Sequence, residues 1–142
     1  MQLMTTLTTA AVLLALSTTA HAACTAATLK GVWGFSYDAT DLANNRYCAG
    51  LGLMTFNNGT LTNNTVKVSL QRESCNGTPA NTGSASGTYA VTQFCTATSN
   101  NLRYTPGGKI AKLDMNIVNA GKHLQFFLVI NGITLHGEAD KR

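Results

Sequence analysis

The chain of 142 residues is 44% apolar and 11% charged, with 13 Gly, 2 Pro and 4 Cys. That composition is one ordinary domain with enough apolar surface to offset the entropy of ordering, which excludes multi-domain and intrinsically disordered readings. The net charge of +4 comes from basic residues scattered along the chain, with no basic stripe beyond Lys141-Arg142, so nucleic acid is excluded as a partner.

Residues 1–22 carry no charged side chain, and the apolar run Ala10-Ala11-Val12-Leu13-Leu14-Ala15-Leu16 leads through Ser17-Thr18-Thr19 to Ala20-His21-Ala22. Small residues at 20 and 22 after a short apolar core read as a secretory signal peptide cleaved after Ala22, leaving a single domain over 23–142. The apolar core is about half of the roughly 20 residues a membrane span needs, so no span is expected in the mature chain. Lipidation at Cys24 is not expected either, since His21 occupies the position where a Leu-like residue is required. The domain is therefore expected to be secreted or periplasmic.

From 29 onward no apolar period of 3.6 residues is sustained, whereas short alternating runs punctuated by Gly, Asn and Pro recur to the end, which is the pattern of an all-β chain. The first strand is predicted over 29–38, with Leu29, Gly31, Trp33, Phe35 and Tyr37 on one face. A second covers 49–57, and the Asn57-Asn58-Gly59 turn leads to a third over 60–72, in which Val66, Val68 and Leu70 alternate with polar residues. The polar segment 75–84 is predicted to be the longest loop. A fourth strand covers 85–91 and a fifth 95–104, and Thr105-Pro106-Gly107-Gly108 offers Pro and Gly at the centre of a type II turn. The sixth, seventh and eighth strands, over 109–118, 122–130 and 133–141, are joined through Ala120-Gly121 and Asn131-Gly132.

Asn-Gly at 131–132 fixes the last hairpin to the residue, pairing Ile130 with Ile133 and Leu128 with Leu135. One face then carries Leu124, Phe126, Leu128 and Ile130 against Ile133, Leu135, Gly137 and Ala139. The other pairs His123 with Asp140, Gln125 with Glu138 and Phe127 with His136, and is solvated. An even-numbered link from the sixth strand places Ala111, Leu113, Met115 and Ile117 on the apolar side. Eight consecutive antiparallel strands with short links suit an up-and-down, calycin-like barrel, with a β-sandwich as the alternative. In a meander the strand ends alternate between poles. Cys24 and Cys95 then fall at one pole and Cys48 and Cys75 at the other, so the expected disulfides are Cys24–Cys95 and Cys48–Cys75. Spacings of 24, 27 and 20 residues between the cysteines, with no His of the mature chain near them, do not make a metal site.

The runs Leu29-Lys30-Gly31-Val32-Trp33-Gly34-Phe35, Met54-Thr55-Phe56-Asn57-Asn58-Gly59-Thr60 and Gly87-Thr88-Tyr89, followed by Cys95-Thr96, resemble a broad group of small secreted bacterial β-barrel proteins of uncharacterised function. The resemblance covers most of the mature chain and implies fold and secretion. Ser84-Ala85-Ser86-Gly87-Thr88-Tyr89 is similar to the Ser-x-Ser-Gly-x-Tyr loop of periplasmic C-type lysozyme inhibitors, also small eight-stranded barrels, from which this chain departs in length and cysteine placement.

Chemistry-bearing residues are sparse. His123 and His136 face outward beside Asp140 and Glu138, no nucleophile signature accompanies them, and Asp38 and Asp41 read as turn residues, so no catalytic set is assigned. Asn58-Gly59-Thr60, Asn63-Asn64-Thr65 and Asn76-Gly77-Thr78 match the glycosylation sequon, as an Asn- and Thr-rich chain does by composition. The register of the Pro-Gly turn would send Thr96, Thr98, Asn100 and Leu102 into the barrel. Trp33, Phe35, Thr98, Asn100, Leu102, Met115 and Phe126 then form a candidate pocket for a small hydrophobic molecule. Buried water, or a bulge turning the polar members outward, is the competing expectation.

An eight-stranded interior is either filled or holds one small ligand. The small inward residues Gly31, Ala111, Gly137 and Ala139 favour a void. A non-enzymatic binding protein without cofactor or metal is the leading expectation. A protein partner or inhibited target held on the outer surface is the alternative, as is a cyclase- or isomerase-type barrel enzyme, which an inward ionisable residue would favour.

Overall fold

The computed structural model describes residues 23–41, 44–57, 63–80, 82–130 and 133–142. The leader over 1–22 with its Ala22 cleavage point, the turns at 58–59 and 131–132 and the sequon at 58–60 lie outside the described residues.

Alternation writes the wall directly. In β1 (Gly31–Asp41) the buried residues are Trp33, Phe35, Tyr37 and Ala39, each separated by a less buried neighbour. The chain continues through β2 (Arg46–Asn57), β3 (Thr65–Cys75), β4 (Thr78–Ala80), β5 (Gly83–Thr88), β6 (Ala90–Val91), β7 (Thr96–Thr105), β8 (Ile110–Val118), β9 (His123–Ile130) and β10 (Ile133–Lys141). Eight of these, β1, β2, β3, β5, β7, β8, β9 and β10, pair in chain order and antiparallel, and β10 returns to β1, closing an up-and-down barrel rather than a sandwich. Closure leaves no long open edge. The short β4 and β6 pair with β3 and β7 outside this circuit.

The register of the last hairpin is Ile130 with Ile133, Leu128 with Leu135, Phe127 with His136 and His123 with Asp140, as its Asn-Gly pair demands. The link from β8 to β9 spans four residues, 119–122, around a 3-10 turn over Asn119–Gly121, and this even number keeps Ala111, Leu113, Met115 and Ile117 buried. Four sequence expectations are corrected. Asp38 and Asp41 are not turn residues, since β1 runs on to Asp41 and pairs them with Ala49 and Arg46 of β2. Segment 75–84 is not a free loop, because Asn76 and Gly77, both at positive φ, turn the chain so that β4 folds back on β3. The predicted fourth strand is broken at the buried Tyr89 into β5 and β6. A one-turn helix, α1 (Ala26–Leu29), precedes β1 where only a strand was read.

Disulfides join Cys24 to Cys95 and Cys48 to Cys75, with Cα–Cα separations of 4.9 and 4.1 Å. They sit at opposite poles of the barrel. At the Cys24–Cys95 pole the interior is solid: Leu29, Trp33, Phe56, Val66, Leu102 and Leu124 are fully buried. Trp33 and Phe56 meet edge to face at 6.2 Å, and Phe56 and Tyr89 at 5.2 Å. The indole Nε1 donates to the Leu29 carbonyl at 2.8 Å, and Lys141 Nζ lies 5.4 Å from the ring centroid while donating to the Thr28 carbonyl. The large aromatics thus plug one end.

Candidate functional site

The plug leaves the other half of the barrel incompletely filled. A cavity of about 290 Å³ occupies it, near the low end of the roughly 300–1,000 Å³ of small-molecule sites. Its deep wall is made by the buried Phe35, Met54, Leu113 and Phe126. Toward the mouth lie the half-buried Leu70, Tyr104, Ile130, Ile133 and Leu135, with the Cys48–Cys75 disulfide among them.

Tyr37, Glu73 and Tyr104 give this apolar chamber a polar end. The Tyr37 hydroxyl donates to Glu73 Oε1. Burial, then the hydrogen bond and negative charge of Glu73, push the Tyr37 phenol far above its ordinary range. Burial, helped by Glu73, pushes the Tyr104 phenol up to about 12. Both phenols therefore remain neutral donors at any physiological pH. Asp41 and Arg46, opposite each other on β1 and β2, stand at the rim, and Asp41 accepts hydrogen bonds from Asn44.

Two bulges set this polar end. In β2–β3 the register passes from Gly52↔Leu70 to Leu51↔Arg72, so Gln71 is an extra residue. Plain alternation from Val66 would send Arg72 inward; the bulge sends Glu73 inward instead and brings Cys75 opposite Cys48. In β7–β8 the register shifts between Ser99↔Leu113 and Leu102↔Ala111, two residues of β7 facing one of β8. Leu102 and Tyr104 face in on one side of the bulge, Ala97 and Ser99 on the other. Room for the Tyr37 and Phe35 rings comes from Gly50 and Gly52, where a Cβ would lie 2.5 Å from Tyr37 and 2.7 Å from Phe35.

This corrects the sequence-based pocket. Phe35 and Phe126 line the cavity. Trp33 belongs to the plug, and Leu102 and Met115 are buried outside the cavity lining. Thr98 points outward, donating to Asp114 Oδ1 at 3.1 Å, and Asn100 is exposed, both because of the β7 bulge. The polar group that β7 does bury is Ser99, whose Oγ has no hydrogen-bond partner among the described residues. Ala111 and Ala139 lie in filled core, whereas Ala39 and Ala85 border the void. Of the three polar residues, Tyr37 and Tyr104 were legible, by alternation from Trp33 and by the Pro-Gly register through Leu102. Glu73 carried no local signal.

Glu73, Cys48 and Cys75 bring potential ligand atoms within 4.8 Å of one another. The two sulfurs are bonded to each other, so they offer no thiolate to a metal. On the outer wall, Phe127, 57% exposed and tilted against His136, lies in a groove with Thr98, Asp114 and Glu138. His123 Nδ1 is 2.8 Å from Asp140 on the same outer face. The segment similar to the lysozyme-inhibitor loop forms β5 and Tyr89, and β5 is paired on both sides within the wall.

No protein-family model matches the chain, and no curated protein matches it. Among solved structures, the fold is shared with a redesigned β barrel, b11L5F_LGL, at 18% identity and a TM-score of 0.59 over 83% of this chain and 95% of that one. A redesigned β barrel, mFAP1, bound to DFHBI matches at 15% identity and 0.59 over 82% and 98%. EF1p2_mFAP2b bound to DFHBI matches at 13% and 0.56 over 83% and 97%. These likenesses establish the closed barrel and no more.

Proposed function

We propose that the protein is a non-enzymatic binding barrel that holds one small, largely apolar molecule in the half of its interior facing the Cys48–Cys75 pole. The single observation behind this reading is the one-ended cavity: large aromatics fill one pole and leave an apolar chamber with a few convergent polar groups at the other. That barrels of similar fold have been solved bound to DFHBI supports the capacity of such an interior to take a small molecule.

The test is to add volume to the void. Wild type is expected to bind the apolar fluorophore phenylnaphthylamine, and Ala85→Leu to abolish binding while changing stability by less than about 1 kcal/mol, since its added atoms enter empty space. Ala111→Leu is the control and is expected to cost about 1–3 kcal/mol by overpacking filled core. A wild type that never binds the probe, with Ala85→Leu as costly as Ala111→Leu, would show a solid barrel and move the function to the outer groove around Phe127.

The inward Glu73 beside two phenols favours one second reading, a cyclase- or isomerase-type reaction in the same chamber. Turnover of a bound compound that is lost in Glu73→Gln would establish it. Two disulfides fit an oxidising compartment. Among the described residues no helix is long and apolar enough to cross a membrane. With the apolar leader, the two disulfides support export to the periplasm or medium, as the resemblance to small secreted bacterial barrels also suggests. The native protein is then expected to begin at Ala23 on N-terminal sequencing; retention of residues 1–22 would count against export by this route.

A further inference from the structure

Glu73 places a carboxylate in the wall of a largely apolar cavity. One of its oxygens accepts from Tyr37, and among the described residues no Lys, Arg or His forms an ion pair with it. The cationic side chain that also lines the cavity, Arg46, is exposed, and its Nη2 lies 4.0 Å from Cys48 Sγ. A carboxylate drawn partly out of water without a counter-ion is a standing cost, only partly offset by one phenol donor. The mouth as a whole holds Asp41 and Glu73 against Arg46, a local negative excess in a chain whose net charge is +4.

The neutral walls have the same preference. Phe35, Tyr37, Tyr104 and Phe126 all line the cavity, with Phe35 stacked on Tyr37 at 6.3 Å and meeting Phe126 edge to face at 5.9 Å. Ring faces attract a cation, more strongly where water is excluded. An anion would meet the Glu73 charge instead.

We propose that the ligand is a small amine with an aromatic or alicyclic body, protonated at neutral pH, whose ammonium group pairs with Glu73 at the mouth while the apolar body lies against Phe35, Met54 and Phe126. This deepens the binding-barrel reading and rests on it. Charge recognition would then come from Glu73, and affinity for the body from the apolar walls.

Three probes sharing an indole body separate these contributions by calorimetric titration of the full mature protein: tryptamine, a cation; tryptophol, neutral; and indolepropionate, an anion. Tryptamine is expected to bind at least about tenfold more tightly than tryptophol, the equivalent of one charge-assisted hydrogen bond, with indolepropionate weakest. Glu73→Gln keeps an acceptor for Tyr37 and nearly the same volume. It is expected to bring tryptamine down to the tryptophol level, and retained phenylnaphthylamine binding reports that the variant is folded. Equal binding of tryptamine and tryptophol by wild type would overturn the amine assignment while leaving the cavity reading intact. Failure of all three indoles and of phenylnaphthylamine to bind would overturn both.

Discussion

At the scale of single residues, the chemistry of the cavity depends on holding two phenols neutral beside a carboxylate. Tyr104 shows what that implies for stability. Its phenol is pushed from 10 up to about 12, chiefly by burial, so the folded chain holds this proton more tightly than the unfolded chain does. The stability linked to that proton is fully present below pH 10 and is lost as pH rises through about 12. Tyr37, raised further by burial and Glu73, adds to the loss in the same direction. The urea midpoint of the wild type is therefore expected to fall as pH rises from 10 toward 12, and Tyr104→Phe, which removes the ionisable group, to fall less steeply. An unchanged slope in Tyr104→Phe would place the alkaline sensitivity elsewhere. Tyr47 is raised as well, through its hydrogen bond to Asp38, but on the surface, where solvent screening leaves little linkage to folding.

At the scale of elements, what the sequence made legible and what it hid divide along one physical line. Period-2 alternation and a two-residue Asn-Gly link are local, and they specified the inward face of β1, though not its ends, and the register of the β9–β10 hairpin, down to the outward His123–Asp140 pair. The pole of each cysteine followed from strand direction alone, because reversal at each turn is also a local rule. A bulge is different. One extra residue, Gln71 in β3 or one of residues 100–101 in β7, inverts the facing of everything beyond it. What calls for it is the curvature and closure of the whole barrel, to which no local pattern refers. Both bulges precede the polar end of the cavity, so the apolar walls, Phe35 and Phe126, were legible while Glu73 was not. Thr98 and Asn100 were read inward for the same reason. The helix α1 escaped because a single turn carries no periodicity; its register comes from docking Leu29 beneath Trp33.

At the scale of the molecule, the two disulfides close poles with opposite tasks, one solid and one hollow. In the chain-entropy account a cross-link stabilises by restricting the unfolded chain, more for a longer loop. Cys24–Cys95 encloses 71 residues and Cys48–Cys75 encloses 27, which correspond to about 4.4 and about 3.5 kcal/mol. The local consequences differ more than these values do. Cys24–Cys95 fastens the segment carrying α1, and Leu29 in α1 supplies the carbonyl that holds the Trp33 indole. Cys48–Cys75 forms part of the cavity lining beside Glu73. Trp33 is the only tryptophan of the chain and is 0% exposed, so its emission reports on the plug alone. The double variant Cys24→Ser/Cys95→Ser is expected to shift that emission to the red and open it to acrylamide quenching. Cys48→Ser/Cys75→Ser is expected to leave the emission unchanged and to weaken phenylnaphthylamine binding. Such a crossed result would show that one pole can loosen while the other holds. Equal quenching of Trp33 in the two variants would mean that plug and chamber open together, as one cooperative unit.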